Sequence, residues 1–413
     1  MSDQPADLLH LWSLTEPARP RWVGELRLMR SSPGVSLRYA PGWLRGGCAL
    51  SEDLPLIDEE FLPVRRHAAV GAVDDARPEH WGERVIRLID RPPRLSLLEY
   101  LYFAGDDRFG ALGVSTSAEQ YLPRRFGPLP TLGEANQIHD IVRKVQDNEP
   151  VPPQLGGLVS PGAGLGGARP KALLEINGEQ WLIKFSDGEP EDTPLIEHAT
   201  MTLARKAQIG TAATMAVRLR HGHAIAIKRF DREGGARRHC LSAAVALRAA
   251  GEPFGYPELA QLLRRNGVAD GDRYVADMRE LFRRMVFNIL MDNTDDHEKN
   301  HALVMRPRQR YELSPAYDVL PSGRALGFQQ MRVGEQEADS TLNNALSMSA
   351  LFSLKRDDAI REVRLIAQVV SGWRDHFHKC GVTARDIDQY AQQIDRPFLK
   401  DQRESTRTLP QCG

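Results

Sequence analysis

Three residues carry the chemistry this chain is best equipped to do. Asp295 and Asn300 lie in Thr294-Asp295-Asp296-His297-Glu298-Lys299-Asn300, and Asp318 lies in Tyr317-Asp318-Val319-Leu320. The first two have the D-x-x-x-x-N spacing of a phosphotransfer catalytic loop, and Asp318 stands where a second metal-binding carboxylate belongs. Phosphoryl transfer asks little covalent chemistry of a protein. It needs one carboxylate to orient an attacking hydroxyl and hard oxygen ligands to hold Mg²⁺ against phosphates. Either motif alone reads as ordinary turn sequence; the combination, in this order, does not. On this reading Asp295 is catalytic, and Asn300 and Asp318 are the metal ligands.

The elements that must position them follow from periodicity. An apolar stripe of Val275, Met278, Phe282, Met285, Val286 and Ile289 predicts a helix over Tyr274–Met291, delivering the chain to the Asp295 loop. His301–Met305 and Arg310–Leu313 read as a small hairpin between Asn300 and Asp318, as kinase folds have there.

Upstream, Gly162-Ala-Gly-Leu-Gly-Gly-Ala-Arg-Pro-Lys171 contains G-x-G-x-x-G. A dinucleotide fold would need a strand before it and a helix after it; here a Pro- and Gly-rich loop precedes and a β-hairpin pattern follows. A Walker A loop fails as well, since Ala172 follows Lys171. What remains is a loop whose backbone N–H groups, at Gly164, Gly166 and Gly167, cover phosphates, or else a structural turn. Strands are expected over Lys171–Ile176 and Gln180–Phe185, joined at Asn177-Gly178. A helix is expected to start with Thr193 as N-cap and Pro194 at its first position, ending before Gly210.

Lys184 interrupts the apolar strand pattern Trp181-Leu-Ile-Lys-Phe185, so it either snorkels to solvent or holds nucleotide phosphates, with Glu197 in the next helix as partner. Ala224–Phe230 reads as a further strand. Lys228-Arg-Phe-Asp231 at its end sits where a hinge would bond adenine through its backbone, with Phe230 against the base; a plain strand end is the competing reading. His297 joins the nucleotide-binding candidates, with a hydrogen bond that shapes the loop as its favoured role.

The whole chain of 413 residues has room for two or three domains, and 41% hydrophobic with 26% charged residues is a globular composition. We divide it into a β-rich region over 1–125, a region with the Gly-rich loop and Lys184 over 126–230, and a helical region over 231–413. Short strands are expected at Leu8–Leu14, Val23–Met29 and, after a Ser-Ser-Pro-Gly turn, Val35–Tyr39. A helix from about Thr131 opens on a Thr131/Glu134 capping box. Further helices are expected over Arg356–His378 and Thr383–Ile394, with a loose end over Lys400–Gly413.

A net charge of −1 supplies no global basic field, and the arginines of 229–238 and 306–310 read better as solvated faces than as phosphate contacts. Cys48, Cys240, Cys380 and Cys412 show neither metal-knuckle nor disulfide-framework spacing, which fits a reducing compartment. The acidic start has no apolar signal core, and no apolar run reaches the length of a membrane span. A cytoplasmic location is expected.

In sequence order, Gly-Gly-Ala-Arg-Pro-Lys, Ile-Lys-Phe, Arg-Phe-Asp-Arg, Thr-Asp-Asp-His-Glu-Lys-Asn and Pro-Ala-Tyr-Asp-Val-Leu resemble the HipA family, serine/threonine kinase toxins of type II toxin–antitoxin systems. Tyr39-Ala-Pro-Gly-Trp43-Leu extends the resemblance to the N-terminal region. It implies an α/β (α+β), two-lobed kinase-like fold with an N-terminal β-rich domain and a mostly helical C-terminal lobe. It also implies ATP and Mg²⁺ as cofactors, with Asp295 catalytic, Asn300 and Asp318 on Mg²⁺, Lys184 on the ATP phosphates and Phe230 in the adenine pocket. The implied partners are a protein substrate such as an aminoacyl-tRNA synthetase and a helix-turn-helix antitoxin of the HipB type. No direct nucleic-acid binding is expected without that antitoxin, and no membrane.

The chain departs from the family at Gly164, where a serine that is autophosphorylated to shut the enzyme off usually stands. Ser160 lies four residues upstream. Unless Ser160 substitutes, the chain either lacks that switch or is regulated only by a partner. Two other functions fit parts of the sequence. Asp295, Asp296, His297, Asn300 and His301 would suit a metal-dependent nuclease or phosphohydrolase, which leaves Lys184 and the glycines without purpose. A non-catalytic, nucleotide-binding co-repressor would not need Asp295, Asn300 and Asp318 together.

Overall fold

The computed structural model describes residues 7–29, 33–122, 124, 127–159, 161–162 and 167–406. Two compact units form, and each is assembled from two stretches of chain: Met1–Asp187 with Lys228–Ala250, and Gly188–Ile227 with Gly251–Gly413.

In the first unit, β1 (Leu8–Ser13), β2 (Arg21–Met29), β3 (Gly34–Tyr39), β4 (Glu60–Phe61), β5 (Ala68–Ala69) and β6 (Leu112–Ser115) share one sheet in the order β4-β3-β2-β1-β6, with β5 parallel to β3. Alternation buries Leu9 and Leu11 of β1 and Val35 and Leu37 of β3. In β2, Leu26 stands opposite Leu9 and Leu37, while Val23 falls at the register shift against β1, and all six are fully buried. At Gly24 a side-chain Cβ would stand 2.2 Å from the Arg38 carbonyl oxygen, so close strand approach requires glycine there.

The all-strand expectation for the first 125 residues needs correction, because helices form at His80–Ile89 and Leu97–Phe103. The first buries Trp81, Val85 and Ile86. The second starts on a Ser96/Glu99 capping box, but its nearly unbroken apolar run Leu-Leu-Glu-Tyr-Leu-Tyr-Phe does not distinguish a helix from a buried strand. Also in this unit, Thr131 and Glu134 cap a short 3₁₀ turn leading into the helix Ala135–Gln146. Strands β7 (Lys171–Ile176) and β8 (Glu179–Lys184) pair antiparallel across Asn177-Gly178, both with positive φ, as a tight hairpin demands.

The second unit is mostly helical. Its helix Thr193–Lys206 takes Asp192 as N-cap, one residue before the expected Thr193, with Pro194 inside the first turn. A hairpin of β9 (Thr214–Arg218) and β10 (His223–Lys228) follows, β10 ending two residues short of the expected Phe230.

The helix Arg273–Leu290 buries Met278, Phe282, Met285, Val286 and Ile289 of the stripe read from sequence, while Val275 in its first turn is half-buried. Gly372 splits the expected helix at 356–378 into Arg356–Ser371 and Trp373–Lys379, ending the first and opening the second. The helix Ala384–Ile394 carries Thr383 as its N-cap, bonded to the Asp386 amide at 3.1 Å. The end is not loose from Lys400: a helix spans Pro397–Ser405, held by buried Leu399 and by Arg403, which bonds Asp395 at 2.8 Å.

Candidate active site

The helix Arg273–Leu290 delivers the chain to Thr294–Asn300 as expected. Successive side chains of this loop diverge, so that Asp295 is exposed while Asp296 is buried. A short 3₁₀ turn, Glu298–Asn300, forms with His297 as its N-cap; the His297 Nδ1 accepts from the Lys299 amide at 3.2 Å. His297 is half-buried, with this hydrogen bond inside its own loop. The Asn300 side-chain amide donates to the Asp295 carbonyl at 3.5 Å, folding the D-x-x-x-x-N segment back on itself.

Strands Ala302–Arg306 and Arg310–Leu313 form the expected hairpin and carry the chain on towards Asp318. Asp318 has φ +58°, a left-handed conformation that costs a non-glycine residue about 1 kcal/mol and commonly marks a functional position. Next to it, the Tyr317 hydroxyl donates to the Lys299 carbonyl at 2.8 Å, which fastens the Asp318 segment to the loop beside Asn300. Thr294 is tied in similarly, its hydroxyl 2.6 Å from that of Ser322.

Asp296 is 2% exposed and accepts from Tyr256 and His301, the latter at 2.8 Å. Burial alone would raise its pKa, but His301 and these hydrogen bonds more than offset that and hold it below the ordinary carboxylate range. Asp296 and His301 are thus committed to each other. The five-ligand metal cluster of the nuclease reading does not form, and among the described residues no group of three His, Cys, Asp or Glu side chains could hold a metal ion.

In the first unit, Lys184 ends β8 and is 5% exposed, which rules out the snorkelling alternative. Glu197 belongs to the second unit and is completely buried in the helix Thr193–Lys206. Gly164, Gly166 and Ser160 lie outside the described residues, as do Ser31 and Ser32 of the expected turn and Cys412. Gly167 has φ +89°, and its carbonyl accepts from the Lys171 ammonium at 3.4 Å. The flanks of the glycine loop are seated closely. The Trp81 indole donates to the Lys171 carbonyl at 2.8 Å, and a Cβ on Gly162 would meet the Ala104 carbonyl oxygen at 2.5 Å.

The Lys228 ammonium pairs with Glu179 at 2.6 Å at the surface, leaving its backbone as the candidate contact. Phe230 is half-buried and meets Phe109 edge to face, with ring centroids 6.1 Å apart. Of the arginines of 229–238, read from sequence as a solvated face, only Arg238 keeps to the surface, paired with exposed Glu233 at 2.8 Å. Arg229 and Arg237 are buried and Arg232 nearly so; they bond Asp231, Asp106 and the backbone of 106–110. Sequence reasoning missed this network, and missed Tyr256, because the partners that bury them are distant: the backbone of 106–110 lies more than a hundred residues from Arg229, and Asp296 lies forty from Tyr256.

These elements define a kinase-like α/β protein. The profile of the HipA N-terminal domain matches residues 19–115, and that of the HipA-like C-terminal domain matches residues 163–390. The chain belongs to the HipA family.

It is 32% identical over 187 residues to Y4dM of Sinorhizobium fredii, a protein named as a kinase; the match spans 40% of each chain. It is 22% identical over 343 residues to the serine/threonine-protein kinase toxin HipA of Shewanella oneidensis, covering 75% of each. The solved complex of Shewanella oneidensis HipA with HipB and operator DNA contains a chain of the same fold. The TM-score is 0.67 at 18% identity, over 98% of this chain and 100% of that one.

Proposed function

We propose that this protein is an ATP- and Mg²⁺-dependent serine/threonine protein kinase, acting as the toxin of a toxin–antitoxin pair. The observation that carries the reading is the loop geometry: Asp295 is exposed on a loop whose other anchors, Asp296, Thr294 and Asn300, are all buried. An exposed carboxylate on a fixed mount can accept or orient a hydroxyl brought to it.

Mg²⁺ takes hard oxygen donors, and the Asn300 side-chain carbonyl and the Asp318 carboxylate supply them on two segments joined through Tyr317 and Lys299. When bound, the ion neutralises charge on the transferring phosphoryl group. In this reading Asp295 orients the acceptor Ser or Thr hydroxyl. Lys184 holds nucleotide phosphates, with Glu197 orienting it, and Gly164, Gly166 and Gly167 cover them. The Lys228 backbone and Phe230 face the adenine, and His297 keeps the loop in shape. A translation protein such as an aminoacyl-tRNA synthetase is the substrate class we favour, and a HipB-like helix-turn-helix protein the antitoxin.

Radiolabelled Mg-ATP incubated with a host lysate and either wild type or Asp318→Asn tests this directly. A discrete labelled protein seen with wild type alone supports the reading and delivers the substrate for identification. No labelled band, despite nucleotide binding, would overturn it in favour of a binding protein.

A further inference from the structure

A chain of buried side chains runs beneath the Asp295–Asn300 loop, and the proposed chemistry does not use it. The Asn293 amide donates to the Asn288 side-chain carbonyl at 3.1 Å, and the Asn288 amide donates to the Tyr256 hydroxyl at 3.3 Å. That hydroxyl donates to Asp296 Oδ2, and His301 Nε2 reaches the same oxygen at 2.8 Å. The rings of Tyr256 and His301 meet edge to face with centroids 5.5 Å apart. Every member is at most 2% exposed.

The chain is anchored on three elements of the second unit: the helix Tyr256–Asn266, the helix Arg273–Leu290 and the segment ending the loop. Beside it lies a cavity of about 10 Å³, lined by Arg284, Asn288, Asp296, Asn300, His301 and Tyr317 among others. Arg284 Nη1 and His301 Nδ1 are buried without a protein partner, and a space of this size takes about one water.

Buried polar groups cost stability unless satisfied, and fully connected networks rigidify what they touch. A hydrophobic pair could have filled the same volume at lower cost. The network meets the loop at Asp296, whose backbone is joined to Asp295 by a single planar peptide. Holding the buried carboxylate therefore anchors the backbone at residue 296 and restrains the peptide plane that leads back to Asp295.

We propose that Tyr256, Asp296 and His301 are positioning residues, which lock the loop so that Asp295 and Asn300 keep the orientation phosphoryl transfer requires. The catalytic part of this inference rests on the kinase reading above; the mechanical part does not. A misplacement of about 1 Å at such a site costs on the order of 100-fold in rate.

The test compares the full-length wild-type chain with Tyr256→Phe, which deletes one hydroxyl and keeps the ring, and with Asp296→Asn, which keeps the shape. Amide hydrogen exchange over residues 292–301 is read together with exchange in the core of the helix Arg273–Leu290. Tyr256→Phe should speed exchange in the loop by about tenfold while leaving the helix core unchanged. It should also lower kcat by about tenfold or more, with KM for ATP within about twofold of wild type.

Loop exchange indistinguishable from wild type in Tyr256→Phe overturns the proposal, whatever the activity. Uniformly faster exchange in loop and helix also overturns it, since that is a stability role. If Asp296→Asn fails to fold, the hydroxyl deletion still decides. A wild-type protein without any phosphotransfer would remove the kinase reading, while loop-confined loosening would still establish the lock.

Discussion

Arg229 bonds Asp231 through two parallel contacts, Nε to Oδ1 at 2.9 Å and Nη2 to Oδ2 at 2.8 Å, with both side chains buried. The same arginine donates to the carbonyls of Asp107 and Arg108, and Asp231 accepts from the Gly110 amide at 2.8 Å. The segment carrying Lys228 and Phe230 is thereby bolted to the loop that carries Phe109. Burial would raise the Asp231 pKa, but Arg229 and Arg232 hold its carboxyl far below the ordinary range. Asp231→Asn leaves two buried guanidinium groups short of a counter-charge. It should destabilise the first unit by about 3–5 kcal/mol, read as a shifted denaturation midpoint.

Asp295→Asn should reduce kcat by at least about 100-fold while ATP binds as before, because the residue serves the acceptor hydroxyl. Asp318→Asn should instead abolish the Mg²⁺ dependence of nucleotide binding. Calorimetric titration of ATP into each variant, with and without Mg²⁺, separates the two. Equal behaviour of the variants would contradict the division of roles.

Two buried groups of the second unit drive stability in opposite directions with pH. Burial lifts the Asp277 carboxyl to about 6 despite the Leu313 amide and Arg273. Between about pH 4 and 6 the native state thus holds a proton that the unfolded chain has released, and stability falls as pH rises. Burial and the neighbouring Lys206 push His376 down to about 4. Between about 6.5 and 4 the unfolded chain takes up a proton the native state refuses, so stability falls as pH drops. Asp277→Asn should unmask the second effect and steepen the rise of the thermal midpoint from pH 4 to 6. His376→Gln should leave a midpoint that falls over that range.

Gly164 has no hydroxyl to phosphorylate. Incubation with Mg-ATP followed by phosphosite mapping should find the segment 160–171 unmodified, and Gly164→Ser should introduce a phosphate there. Phosphate at Ser160 in the wild-type chain would show that the switch has moved rather than vanished.

Local pattern determined much of this protein. The stripe on Arg273–Leu290, the Asn177-Gly178 turn, the Thr131/Glu134 capping box and the D-x-x-x-x-N spacing are all set by neighbours within a few residues, where periodicity and turn chemistry act. The motifs therefore located the loop and its hairpin. His80–Ile89 carries Trp81, Val85 and Ile89 at helical spacing, a signal that was present in the sequence. The helix at Leu97–Phe103 escaped because its nearly unbroken apolar run satisfies both periods until a partner surface chooses between them. Burial likewise was decided only by the fold. No neighbour in sequence tells Asp295, which faces solvent, from Asp296, which meets Tyr256 forty residues upstream. The same holds for Arg229, Arg232 and Arg237, solvated by composition yet sealed against 106–110. Charge is a property of sequence, but the dielectric around it and the partner that meets it are set by tertiary packing.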